Sequence, residues 1–263
     1  MVRRIQRISR ALLTSQMALM LEYRAEIALW ALSGVLPLIM LAVWEGSDGA
    51  AAAGLSTTSL TRYFLAAFVV RQFSVVWMIH VFEEDTLQGK LSPQLLQPLQ
   101  PLWRYLAAHV AEQCTRLPFV GLMLGVLALV QPELVWWPTT RELIVGIAAI
   151  QAAFILRFLL QSVIAMLCFW SERAAALDRL LLIPYLFLSG LVAPLQTYPA
   201  AIQKLAWLTP FPSMVAFPAA VLAGEPVAIG PGFLQLALWC LLLYPLLLLL
   251  WRAGVRRYGA MGA

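Results

Sequence analysis

The chain has 263 residues, 62% of them hydrophobic and 12% charged, with a formal net charge of +5 and a mean hydropathy of +0.83. So apolar a sequence exceeds what one soluble core of this size buries, and its solvent must be lipid. The positive charge points to membrane topology rather than to nucleic acid: thirteen of the 18 Lys and Arg fall on the side of the N-terminus, Arg116 counted among them, against Arg62, Arg141 and Lys204 on the other. That asymmetry predicts both termini in the cytoplasm.

Taken in chain order, Met1 to Leu19 turned at about 100° per residue places Met1, Ile5, Ile8, Leu12 and Leu19 on one face and Arg3, Arg7, Arg10 and Thr14 on the other. With Arg4, this basic amphipathic segment over 1–24 is either an interfacial helix whose arginines meet anionic headgroups or a plain positive-inside anchor. Both readings put it on the cytoplasmic surface. A secretory signal peptide is opposed by the long polar lead, which carries Glu22 and Glu26, and by an apolar run longer than an h-region.

Six apolar runs follow, at 27–44, 63–82, 106–130, 143–169, 180–195 and 232–251. A helix needs about 20 residues to cross a hydrocarbon core of about 30 Å, and these runs, of which the fifth is shortest, are too continuous for barrel strands. The expected fold is an all-α integral membrane protein of six transmembrane helices, forming a single permease domain over 1–263. The first outer loop, with Glu45, Asp48 and the run Gly49 to Gly54, carries no visible chemistry, whereas Trp136 and Trp137 suit an interfacial aromatic belt. Between Ala193 and Gly232, Pro194, Pro199, Pro210, Pro212, Pro218 and Pro226 interrupt apolar clusters. That predicts short re-entrant helices over 194–231, entering from the outer face.

Arg71 and Arg157 lie inside the second and fourth runs, where a central arginine costs about 2.5–3.5 kcal/mol on insertion scales. They need partners: Glu112, Glu26 or backbone carbonyls on one reading, an anionic headgroup or substrate on the other. Glu112 and Arg116 are four apart, which permits an intrahelical pair. His80 and His109 have no His or Cys partners at ligand spacing, so no metal is expected. Cys114, Cys168 and Cys240 read as packing residues, and no nucleophile–base or paired-carboxylate arrangement argues for an enzyme.

The polar stretch 83–104, between the second and third runs, is the most informative segment. Glu83, Glu84, Asp85 and Lys90 supply charge, Gly89 a helix break, Leu91, Leu95 and Leu96 a short apolar ridge, and Pro98 a second break. A short surface helix results, whose exposed leucines either seat in a groove of a cytosolic partner or rest on the bilayer.

The run Glu84-Asp85, Gly89-Lys90-Leu91-Ser92 and Leu95-Leu96-Gln97-Pro98-Leu99 resembles the coupling loop of ABC-2 type transporter permeases. Phe187-Leu188-Ser189-Gly190-Leu191-Val192-Ala193-Pro194, followed by Tyr198-Pro199, Pro210-Phe211, Phe217-Pro218 and Gly224, is similar to the fifth-span and outer re-entrant region of the same family. The order of parts also resembles its short drug- or viologen-type exporters. The resemblance implies a plasma (bacterial inner) membrane permease that pairs with an identical or similar permease and with two cytosolic ATP-binding subunits. Those subunits would hold the ATP and Mg, this chain none. The residues agree by omission, because Gly89-Lys90 is followed by Leu91 and lacks the earlier glycine of a Walker A loop. Drug, lipid and glycolipid all remain open as substrates. The alternative class is an ATP-independent carrier or a membrane scaffold; a carrier calls for a protonatable carboxylate at mid-membrane depth, and the acidic residues here sit near run ends and loops.

Overall fold

The computed structural model describes residues 2–46, 54–171 and 173–261, and every regular element among them is helical. Asp48 and residues 49–53 of the first outer loop lie outside the described residues, as do the side chains of Arg3, Arg4 and Arg24.

Helix α1 (Val2–Glu22) packs along α7 (Pro101–Val130). Its covered stripe is Leu12, Gln16, Met17 and Met20, so the apolar face expected from the sequence divides: Leu12 turns to protein, while Ile8 and Leu19 stay uncovered, as do Arg7 and Arg10. The first apolar run is two helices, α2 (Arg24–Ser33) and α3 (Leu36–Glu45). Pro37 accounts for the break, since it lacks an N–H and its ring conflicts with the carbonyl four residues back, at Ser33.

The second run, expected as one span, is also divided, into α4 (Thr57–Phe73) and α5 (Met78–Leu87). Ser56 caps α4 by accepting the Ser59 N–H at 3.1 Å. The short α6 (Leu91–Leu95) leads to α7, and α8 (Thr140–Ala165) begins with a capping box in which Thr139 and Glu142 satisfy each other's backbone N–H. Then come α9 (Ala175–Leu188), α10 (Ala200–Trp207), α11 (Phe211–Met214), α12 (Ala216–Leu222) and α13 (Ile229–Met261).

Among the described residues, five stretches are long and apolar enough to cross a membrane: Ala25–Glu45, Thr57–Leu87, Pro101–Val130, Thr140–Phe169 and Ile229–Tyr258. Helix α9, with 14 residues, rises about 21 Å against a core of about 30 Å. The segment after it folds into the bundle. Helix α12 packs against both α4 and α8, with Leu222 seated on Gly146, where a Cβ would lie 3.0 Å from a Leu222 methyl. Helix α11 sits deeper, where Phe211 and Met214 border Arg157 and Gln161 of α8. Phe211, Met214, Val215 and Phe217 are all buried.

Candidate functional site

The stretch 83–104 is a tight hairpin. Helix α5 ends at Leu87, and Gly89 turns the chain at φ +72°, a left-handed conformation that glycine alone adopts without Cβ strain. Leu91 then inserts into the core with no exposure, Leu95 packs partly against it, and Leu96 stands 89% exposed. The expected ridge of three exposed leucines is therefore corrected to one. A five-residue helix lying on the bundle must turn one side inward, and that side carries Leu91 and Leu95.

The acidic residues of the hairpin are fasteners. Asp85 accepts hydrogen bonds from the Tyr105 hydroxyl at 2.6 Å and from Gln94 Nε2 at 3.0 Å, tying α5 to α6 and α7. Glu83 accepts the backbone N–H of Ala175 at 2.6 Å and so places a carboxylate at the positive end of α9. Ser92 meets the Tyr258 hydroxyl at 2.8 Å, joining α6 to the end of α13. Only Glu84 and Lys90, 3.1 Å apart and both more than half exposed, form a surface pair, worth about 0–1 kcal/mol. Beneath lies an aromatic cluster: Phe82 packs edge-on to Tyr105 and Phe169, with centroids 5.8 and 5.4 Å away, and Phe169 meets Trp251 and Tyr258. Sequence reasoning passed over Tyr105, Phe82 and Phe169, because aromatic residues in an apolar run carry no mark of which neighbours they meet.

Helix α5 leads from the hairpin to the break at 74–77. Backbone groups freed inside a membrane must be satisfied by protein, and here polar side chains of α7 and α8 do so. His109 Nε2 accepts the Trp77 N–H at 2.9 Å while its Nδ1–H donates to the Tyr105 carbonyl at 2.7 Å, which defines a neutral imidazole of one tautomer. Gln113 donates to the Phe73 carbonyl, and Arg116 donates through Nη1 to the Gln72 carbonyl at 3.3 Å. Gln161 of α8 accepts the Ile79 N–H at 3.4 Å. His109, Gln113 and Arg116 stand at i, i+4 and i+7, one face of α7.

The charges inside the bundle pair differently from the expectation. Glu112 serves Arg116, four residues on, and not Arg71 or Arg157. Arg116, counted with the inner surface in the sequence reading, is 2% exposed and the bulkiest of the fully buried side chains. Arg157 donates to the Tyr185 hydroxyl at 2.6 Å, and its guanidinium lies 4.4 Å from that ring's centroid. A phenol takes the place of a carboxylate because α9 brings Tyr185 against α8, a juxtaposition no spacing in the sequence announces. Arg71 keeps a buried Nη1 without a hydrogen-bond partner among the described residues. His80 approaches Asp178 at 3.5 Å, and Asp178 also accepts from Gln161, linking α5, α8 and α9.

At the opposite end, Gly190 turns the chain after α9 at φ +84° and its carbonyl accepts the Tyr63 hydroxyl at 2.7 Å. Ser189 accepts the Ala216 N–H at 2.9 Å, and Ser59 bonds Glu225. The Phe187 to Pro194 motif thus locks the 194–231 segment onto α4. The hairpin, the broken second span and the buried segment together have the anatomy of a multi-pass membrane transport subunit. Residues 49–262 match the ABC-2 family transporter proteins, and the chain belongs to that family of membrane permeases, whose ATPase is not part of the permease itself. No curated protein matches the chain.

Proposed function

We propose that the chain is the membrane subunit of an ATP-driven exporter and that cytosolic ATPase subunits push on the 83–104 hairpin. The carrying observation is that the hairpin is fastened to α7, α9 and α13 yet continuous with a second span broken at 74–77. Force applied at Leu96 therefore enters a fastened hairpin and reaches the break held by His109, Gln113 and Arg116, where it is absorbed as rotation. Short breaks that absorb backbone change between rigid segments are the usual hinges of transporters.

In this reading both termini face the cytoplasm, α9 counts as the fifth of six spans, and the 194–231 segment re-enters from the outer side. Two permeases, identical or similar, work with two ATPase subunits that hold ATP and Mg. The hydrophobic or amphiphilic cargo, a drug, lipid or glycolipid, leaves along the second and fifth spans, α4–α5 and α9.

The test uses the assembled complex in vesicles. Leu96→Asp places a charge on the most exposed leucine of the hairpin, where it removes no core contact. Folding and insertion should be unchanged, while transport falls about tenfold or more, the loss expected when an apolar anchor of about 1.5–3 kcal/mol is deleted from an interface. Full transport by this variant removes the docking assignment.

A further inference from the structure

Two cavities meet at the end of the bundle opposite the hairpin. One, of about 520 Å³, is polar, and Glu45, Arg62 and Glu133 line it with the hydroxyls of Thr57, Thr58 and Thr61. The other, of about 470 Å³, is an apolar groove between α4 and α7, bounded by Leu65, Val69, Leu124 and Leu127. Gln131, Leu134, Val135 and Trp136 border both, so the two are adjacent and share a wall.

Three observations give the pair an occupant. The charged side chains are exposed and open to a ligand: among the described residues Arg62 and Glu133 enter no ion pair, and Glu45 accepts only the Thr61 hydroxyl, at 3.1 Å. Trp136, at the junction, has a buried Nε1–H with no acceptor among the described residues; a buried donor of this kind calls for an acceptor, and a lipid ester carbonyl is one. The groove floor is bare. Gly121 and Gly125 line it one helical turn apart, and a Cβ on either meets nothing within 4 Å. From Gln131 to Gly121 the helix rises about 15 Å, the depth of one leaflet of a core about 30 Å thick.

Charge, then a single N–H donor, then hydrocarbon is the polarity order of a phospholipid read from headgroup to chain. We propose that the two adjacent cavities together hold one phospholipid with a primary-amine headgroup, of the phosphatidylethanolamine class. Its ammonium lies between Glu45 and Glu133, its phosphate at Arg62, an ester carbonyl on the Trp136 N–H, and an acyl chain over Gly121 and Gly125. Two carboxylates against one guanidinium disfavour a lipid with no cation, and a trimethylated amine has no N–H to donate to them. This assignment concerns a resident lipid and stands apart from ATP coupling.

The full chain, purified in mild detergent and stripped of lipid, is titrated with phosphatidylethanolamine, phosphatidylcholine and phosphatidylglycerol of equal chain length, with thermal unfolding and intact-complex mass spectrometry as readouts. The ethanolamine lipid should raise the unfolding midpoint most and appear as a 1:1 adduct. Glu133→Gln should weaken it about tenfold, the loss of one charge-assisted bond. Gly125→Leu, which enters open space, should remove the adduct while the lipid-free midpoint holds. Equal stabilisation by all three headgroups overturns the proposal, as does undiminished ethanolamine selectivity in Glu133→Gln however Gly125→Leu folds. A chain dimer in place of the lipid adduct, with the groove closed to lipid, overturns it too.

Discussion

The first and second spans are both broken in mid-course, but in opposite ways. Span one breaks because of its own sequence: Pro37 denies Ser33 its hydrogen bond, and the gap from Gly34 to Val35 closes with local backbone bonds from Gly34 to Ala31 and from Val35 to Leu32. Span two contains no proline at its break. Ser74 to Trp77 leave the helix, and the freed groups are met by four side chains from two other helices: His109, Gln113, Arg116 and Gln161. The two breaks touch, since Gln72 beside the second donates to the Ala31 carbonyl beside the first at 2.7 Å, and Gly34 leaves room for it. A break written into the chain needs little outside help, whereas one imposed by tertiary structure must be held open by its neighbours.

That difference predicts a ranking of damage. Arg116→Leu removes the donor to the Gln72 carbonyl and strands Glu112, so unfolding stability in detergent should fall by about 3–5 kcal/mol, the cost of breaking a buried pair from one side. Adding Glu112→Leu should return part of this loss, and a full return would show that the carbonyl bond contributes nothing. His109→Phe keeps an aromatic ring but leaves the Trp77 N–H unmet; about 1–3 kcal/mol should be lost, with faster hydrogen exchange over residues 74–79. Gln72→Leu acts on the first break, where the Ala31 carbonyl retains the Gly34 N–H, and about 0.5–1.5 kcal/mol is expected. Should Gln72→Leu prove costlier than His109→Phe, the distinction between a self-made and an imposed break does not hold.

Much of the architecture was legible before any tertiary information. Five of the apolar runs correspond to membrane-length stretches, the Gly89 turn and the 91–95 helix stand where the hairpin motif predicted them, and the proline-broken stretch after α9 forms short helices. Glu112 and Arg116 pair as their spacing permits. The hairpin's inward side was not legible. Leu91 and Leu95 differ from Leu96 only in direction, and direction on so short a helix is set by what it rests upon. The acidic residues were readable as charge but not as fasteners, because Ala175 and Tyr105 are brought to Glu83 and Asp85 by helices far along the chain.

By itself the sequence determined that this is a multi-helix membrane protein, and its own proline accounts for the break in span one, which the reading of 27–44 as one run did not separate. Those outcomes follow from local chemistry: apolar length, capping groups, the missing proline N–H. The break in span two, the tyrosine partner of Arg157 and the burial of Arg116 were decided only by tertiary structure. In a membrane no water completes an unfinished backbone, so a partner must arrive from another helix, and its identity depends on packing rather than on sequence distance.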